Sequence, residues 1–127
     1  MQKFIKEVCV DNTEDAMRAI NLGANRIEYC SKLSEEGLTP DLKEVKYLLK
    51  NTSIPIRIMI RPHSKSFNYS EKDTSVILRD ISNFKKIGVD GIVIGCLNQY
   101  REIDLKKINL FLKNAKPLKV IFHKAID

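Results

Sequence analysis

The sequence lacks any long hydrophobic segment. No stretch of its 127 residues approaches the roughly 18 consecutive apolar residues of a membrane-spanning helix. The first residues, Met1 to Glu7, contain neither a long apolar core nor a small-residue cleavage site, so they do not predict a secretory signal. We therefore expect a cytoplasmic protein with no membrane partner.

Cysteine is scarce, and its spacing excludes two common uses. The three cysteines, Cys9, Cys30 and Cys96, are widely separated and form no Cys-x-x-Cys pair. An odd number at such spacings fits neither a disulfide framework nor a zinc knuckle. The sequence therefore predicts free thiols.

Runs of like charge are also missing. Lysine and arginine exceed aspartate and glutamate by 22 to 16, which gives a net charge of +6. The lysines are scattered over predicted outer helices, and no basic strand is interleaved with aromatic residues. We therefore predict no nucleic-acid partner. With 43% apolar and 30% charged residues, the composition is typical of one globular domain over residues 1–127.

What is present is a regular alternation of strands and helices. Apolar periodicity predicts strands near 4–9, 26–30, 55–60, 91–95 and 119–123, and helices near 13–22, 41–50, 71–87 and 104–114. Ser70 and Asp104 are suitable N-terminal caps, and Gly23 and Gly88 are suitable stops. Helical crossovers join parallel strands, so the pattern predicts an α/β protein with a parallel sheet.

Two observations favour a TIM-type (β/α) barrel over an open doubly wound sheet. The glycine-rich phosphate motifs of nucleotide-binding open sheets are absent, and three strands carry one charged face that a barrel interior can hold. Four βα units and a fifth strand make only part of an eight-unit barrel. We expect a partial barrel, the N-terminal half, whose open edges at strands 1 and 5 favour a homo-oligomer.

A repeated Glu-x-Cys pattern marks the first candidate site. Residues two apart share one face of a strand, so Glu7 and Cys9 should lie beside Glu28 and Cys30 if strands 1 and 2 are neighbours. Thiolates and thioethers select Cu(I). Cys9 and Cys30 are therefore candidate Cu(I) ligands, with the alternative that they are small buried hydrophobic residues. Further residues predicted at the mouth are Met59, His123 and Asp127, and Met59 has the alternative of core packing.

The charged residues of the same face favour a different function. Arg61 could hold an anionic or carbohydrate-like substrate, while Glu28 or His123 acts as general acid or base. The alternative is a pair of internal ion pairs, Arg61 with Glu28 or Glu7 and Arg57 with the carboxylate that remains. The polar loop of residues 61–70 has two interpretations. It is either a lid that places Phe67 and Tyr69 over the mouth of the barrel or an ordinary surface connection.

Six segments, in order along the chain, resemble the CutC family. They are Glu7–Asp11, Arg26–Ser31, Leu33–Pro40, Met59–Pro62, Phe67–Ser70 and Phe122–Asp127. The resemblance implies a TIM-type barrel in a cytoplasmic protein associated with copper homeostasis. It also implies that about the last half of the barrel is absent.

Overall fold

The computed structural model describes residues 4–122, and its elements follow the predicted order closely. The strands are β1 (Glu7–Val10), β2 (Arg26–Tyr29), β3 (Ile56–Met59), β4 (Gly91–Ile94) and β5 (Lys119–Phe122). The helices are α1 (Thr13–Asn21), α2 (Leu42–Asn51), α3 (Glu71–Ile87) and α4 (Leu105–Ala115), with a short 3-10 helix at Leu33–Glu35 that was not predicted.

Local sequence signals explain where the helices begin and end. The Ser70 hydroxyl accepts a hydrogen bond from the backbone N–H of Asp73, whose carboxylate accepts one from the N–H of Ser70, and this capping box starts α3. Asp104 caps α4 by accepting from the N–H of Lys107. Gly88 ends α3 with a φ of 91°, a left-handed conformation that favours glycine. The predicted caps are confirmed.

All five strands are parallel and lie in the order β1-β2-β3-β4-β5. A doubly wound sheet changes direction at a switch point, whereas sequential order with helical crossovers is the order of a (β/α) barrel. The α/β fold and the partial barrel are therefore confirmed. No helix within residues 4–122 combines the length and apolar character needed to cross a membrane.

The hydrophobic core lies between the sheet and the helices. Ile27, Ile56, Ile58 and Ile92 are at most 1% exposed, and each such side chain stabilises the fold by about 1.5–3 kcal/mol. They pack in one cluster with helix residues such as Leu48, Ile77, Ile81 and Phe111. Because every helix covers this one face, the opposite, concave face of the sheet remains available for a site.

Candidate functional site

At the base of the concave face, charged side chains neutralise one another. Glu7 forms an ion pair with Arg26 and lies 3.9 Å from Arg57. Arg57 in turn donates to Asp90 over 3.2 Å, and Lys119 lies 3.7 Å from the same carboxylate. The sequence predicted a carboxylate partner for Arg57 but missed Arg26 and Asp90. The position of Arg26 could have been predicted, because it lies two residues before Glu28 and therefore on the same face of the strand.

Above this base, the C-terminal ends of β1, β2 and β3 bring three sulfur atoms into one region. Cys9 is exposed, whereas Cys30 is fully buried, and the pairing of β1 with β2 makes them neighbours. A Cβ placed on Gly37 would lie 2.8 Å from the Met59 sulfur and 3.3 Å from that of Cys30. The predicted juxtaposition of two thiols and a thioether is therefore present in the structure.

The two thiols differ in acidity because each changes the proton affinity of the other. The Cys30 thiol lies 3.6 Å from the carbonyl oxygen of Val10, to which it donates. The neighbouring Cys9 thiol and burial raise the pKa of Cys30 well above the ordinary range. The interaction with Cys30 lowers the pKa of Cys9. Cys9 therefore loses its proton more readily than Cys30 does.

Arg61 is buried, with 5% of its surface exposed, and it is held by backbone rather than by a carboxylate. Its Nη1 donates to the carbonyl oxygens of Glu35 at 2.8 Å and Gly37 at 3.1 Å, and its Cζ lies 4.8 Å from the centre of the Phe67 ring. The predicted ion pair of Arg61 with Glu28 or Glu7 is wrong. The loop after β2 folds back through a Ser31–Leu38 bridge, and its carbonyl oxygens take the place of a carboxylate as the partners of Arg61.

Glu28 lies between the paired base and the sulfur region. Burial is the largest cause that raises the pKa of Glu28, followed by a hydrogen bond with Glu7 and the repulsion between the two carboxylates. Arg57 and Arg26 oppose this effect. Glu28 therefore holds a proton more readily than an ordinary glutamate does.

A cleft of about 360 Å³ opens over these residues. It brings together five of the predicted residues, Cys9, Glu28, Met59, Arg61 and Phe67, and its remaining lining consists of Glu36, Val93, Ile121 and Phe122. Cys30 is fully buried and does not line the cleft. The predicted mouth residues His123 and Asp127 lie outside the residues that the structure describes.

The loop of residues 61–70 only partly matches its predicted role as a lid. Phe67 lines the cleft, as predicted, but Tyr69 is 1% exposed and belongs to the hydrophobic core. The ring of His63 packs edge-on against Tyr69, which helps to hold it inside. Cys96 is also buried, and burial raises its pKa to about 11, so this thiol packs inside the fold.

Within residues 4–122, no group of three or more His, Cys, Asp and Glu side chains is arranged to hold a metal ion. Structural zinc sites use several Cys or His side chains, and calcium prefers several oxygen ligands. A pair of thiols with a neighbouring thioether is a different donor set, suited to a soft monovalent ion.

A parallel (β/α) sheet with its polar cleft at the C-terminal strand ends defines the class of TIM-type barrel proteins. Comparison with known proteins places the chain within this class. The CutC family model matches residues 4–127, and the chain belongs to that family.

Individual relatives agree with this assignment. The chain is 40% identical over 124 residues to the "Copper homeostasis protein cutC homolog" of Homo sapiens, covering 98% of this chain and 45% of the relative. It is 44% identical over 121 residues to a CutC family protein of Photobacterium profundum, with coverages of 95% and 49%. The chain thus spans about half the length of the curated relatives it matches.

A solved CutC structure from Streptococcus agalactiae gives the same result in three dimensions. It superposes with a TM-score of 0.88 at 28% identity, covering 97% of this chain and 60% of that one.

Proposed function

We propose that this chain is a cytoplasmic copper-homeostasis protein that binds Cu(I) through Cys9 and Cys30, with Met59 as a third sulfur ligand. The observation that carries the proposal is that three sulfur-bearing side chains, Cys9, Cys30 and Met59, meet at the ends of neighbouring strands. The pKa of Cys9 is lowered there by its interaction with Cys30. A thiolate is the form of cysteine that ligates metal. Copper is the cargo of this site, and the residues themselves supply the binding chemistry.

The arrangement suits Cu(I) for three reasons. The Cys9 thiol is exposed and offers a first ligand, and binding of the ion displaces the thiol protons, as metal binding to cysteine generally does. Met59 is 7% exposed, so its thioether can complete the site without approach from solvent. Three sulfur donors favour Cu(I) over harder cations.

Two further observations support a role in copper homeostasis and a location in the cytoplasm. Relatives carry copper homeostasis in their names, and all three cysteines are free, which suits a reducing compartment.

A competition titration with a Cu(I)-specific chelator under anaerobic conditions tests the proposal. The wild-type chain should withdraw about one Cu(I) per chain, and Cys9→Ser and Cys30→Ser should each weaken binding by at least about tenfold. Cys96→Ser is the matched control, because that thiol is equally free but lies outside the cleft. Unchanged affinity in both Cys9→Ser and Cys30→Ser would refute the proposal.

We also propose that two copies associate through the open sheet. β1 and β5 are the edge strands of the described sheet, and apolar side chains are exposed next to them, with Ile5 at 61% and Phe122 at 45%. Unpaired edges beside apolar surface favour pairing with a second chain. Sedimentation of the 127-residue chain should give a dimer, and a monomer of 14.6 kDa that persists at high concentration would contradict this.

A second candidate function is acid–base chemistry on a small anionic or carbohydrate-like substrate. The specific observation in its favour is that Glu28 and Arg61 line the same cleft, so that one group could transfer a proton while the other orients the substrate. His123 would follow β5 directly in sequence. Turnover that is lost in Glu28→Gln but retained in Cys9→Ser would identify this function.

A further inference from the structure

We propose that the mouth carries an anion site, separate from the sulfur ligands, that takes a small molecule bearing a phosphate monoester. The starting observation is the charge of Arg61. Its side chain is buried, and none of the ion pairs within residues 4–122 includes it, although Arg57, on the strand that precedes it, has two carboxylate partners. A buried cation without a counter-ion is unfavourable, so an anionic ligand would stabilise this arrangement.

Hydrogen bonding supports the same conclusion. Within the described part of the chain, only two buried side-chain nitrogen or oxygen atoms have no hydrogen-bond partner, Arg61 Nε and Tyr69 Oη. Tyr69 belongs to the hydrophobic core, whereas Arg61 lines the cleft. Buried polar groups are normally satisfied, so Arg61 Nε offers a ligand in the cleft a donor that no described residue uses.

The charge of a second cleft indicates the type of anion. Arg61 also lines an outer cleft of about 480 Å³, next to Lys65, Arg101 and Glu36. Three cations and one carboxylate leave two positive charges. A phosphate monoester carries about −1.5 to −2 charges at neutral pH, which matches this balance, whereas a single carboxylate would leave one positive charge unopposed.

The walls of the outer cleft are joined before any ligand binds. The backbone N–H of Leu97 donates to the carbonyl of Phe67 at 2.8 Å, which ties the loop after β4 to the loop after β3. The Asn98 side-chain oxygen accepts from the N–H groups of Tyr100 at 2.8 Å and Glu102 at 3.2 Å. Arg101 therefore lies on an ordered turn, and a preformed site loses less entropy on binding.

Because Arg61 lines both clefts, the phosphate would occupy the outer one and the rest of the molecule would extend toward Glu28 in the inner one. The inference deepens the second candidate function proposed above. It is separable from that function because binding is measured without turnover, and from copper binding because it involves neither cysteine.

The test is a titration of the metal-free, 127-residue chain with inorganic phosphate, followed by amide chemical shifts. We expect saturable shifts around residues 61–69 and 97–101, and about tenfold weaker binding in Lys65→Gln and in Arg101→Gln. Both side chains are exposed and take part in no ion pair within residues 4–122, so these variants should fold normally. Lys46→Gln on α2 removes the same charge elsewhere and is the control. Acetate should bind more weakly than phosphate.

Three results would overturn the proposal. The first is the absence of saturable binding by wild type. The second is an equal loss in Lys46→Gln, which would indicate a response to net charge alone. The third is acetate binding as tight as that of phosphate, which would remove the basis for assigning a dianion. Arg61→Lys is a sharper variant, because it keeps the positive charge but loses the planar set of N–H donors. If this variant bound phosphate as tightly as the wild type, that result would also count against the site.

Discussion

The base and the mouth of the concave face are formed by the same strands, but they differ in whether their arginines have carboxylate partners. At the base, Arg26 and Arg57 are matched by Glu7 and Asp90. At the mouth, the side-chain partners of Arg61 within residues 4–122 are backbone carbonyls and an aromatic ring. Internal charges that are paired contribute to folding, whereas those left without counter-ions mark positions where a ligand can supply the missing partner. On this basis we propose the mouth as the functional site.

The largest expected effect on stability comes from removing the Arg57 ion pairs at the base of the concave face. Arg57→Met should lower the free energy of unfolding by about 2 to 3 kcal/mol, because it leaves Glu7 and Asp90 with fewer partners in a partly buried setting. Urea denaturation measures this change. Arg79→Met is the control, since Arg79 is exposed and its pairing with Asp80 spans 3.8 Å; it should change stability by less than about 0.5 kcal/mol. Equal losses would mean that the base is not a stabilising network.

A smaller effect is expected from perturbing the mouth at Gly37. Gly37 and Gly23 have similar left-handed φ angles of 95° and 106°, but only at Gly37 would an added Cβ meet the sulfur atoms of Met59 and Cys30. Alanine at either position should be destabilising by about 1 kcal/mol from backbone strain. Gly37→Ala should lose about 1 kcal/mol more, and it should weaken Cu(I) binding while Gly23→Ala does not.

Equal behaviour of these two variants in thermal unfolding and in copper titration would contradict the packing described for the sulfur atoms.

The smallest effect concerns Glu28, at the boundary between the two regions. Its pKa is raised in the folded protein, so the native state binds more protons than the unfolded state above the ordinary glutamate pKa of about 4.3. Stability should therefore fall as the pH rises from that value through the raised pKa. Glu28→Gln should remove this dependence and be more stable than wild type at neutral pH. Unfolding curves at several pH values check it, and a wild-type slope of opposite sign would exclude the raised pKa.

The parts of this comparison that follow from sequence periodicity were predictable. Alternation along β1 and β2 placed Glu7, Cys9 and Glu28 on one face, and the capping pattern at Ser70 placed the start of α3. The sequential order of parallel strands also followed from the strand-helix alternation. These features depend on local rules that short segments obey by themselves.

The partners of Arg61 were not predictable in the same way. The loop that supplies its carbonyls turns through Lys32 and Glu36, which have φ angles of 48° and 67°. Neither residue type signals a left-handed conformation, so the return of the loop toward β3 could not be read from the chain. Tyr69 was misplaced for a related reason, because its burial depends on the packing of an irregular segment rather than on periodicity.

The central claim, that the mouth binds Cu(I) through sulfur, is tested most directly by X-ray absorption at the copper edge. The measurement uses the 127-residue chain loaded anaerobically with one equivalent of Cu(I). The account predicts a first shell made of sulfur alone in the wild type and a reduced sulfur count in both Cys9→Ser and Cys30→Ser. A first shell of nitrogen or oxygen in the wild type, or a sulfur count in both variants equal to that of the wild type, would contradict it.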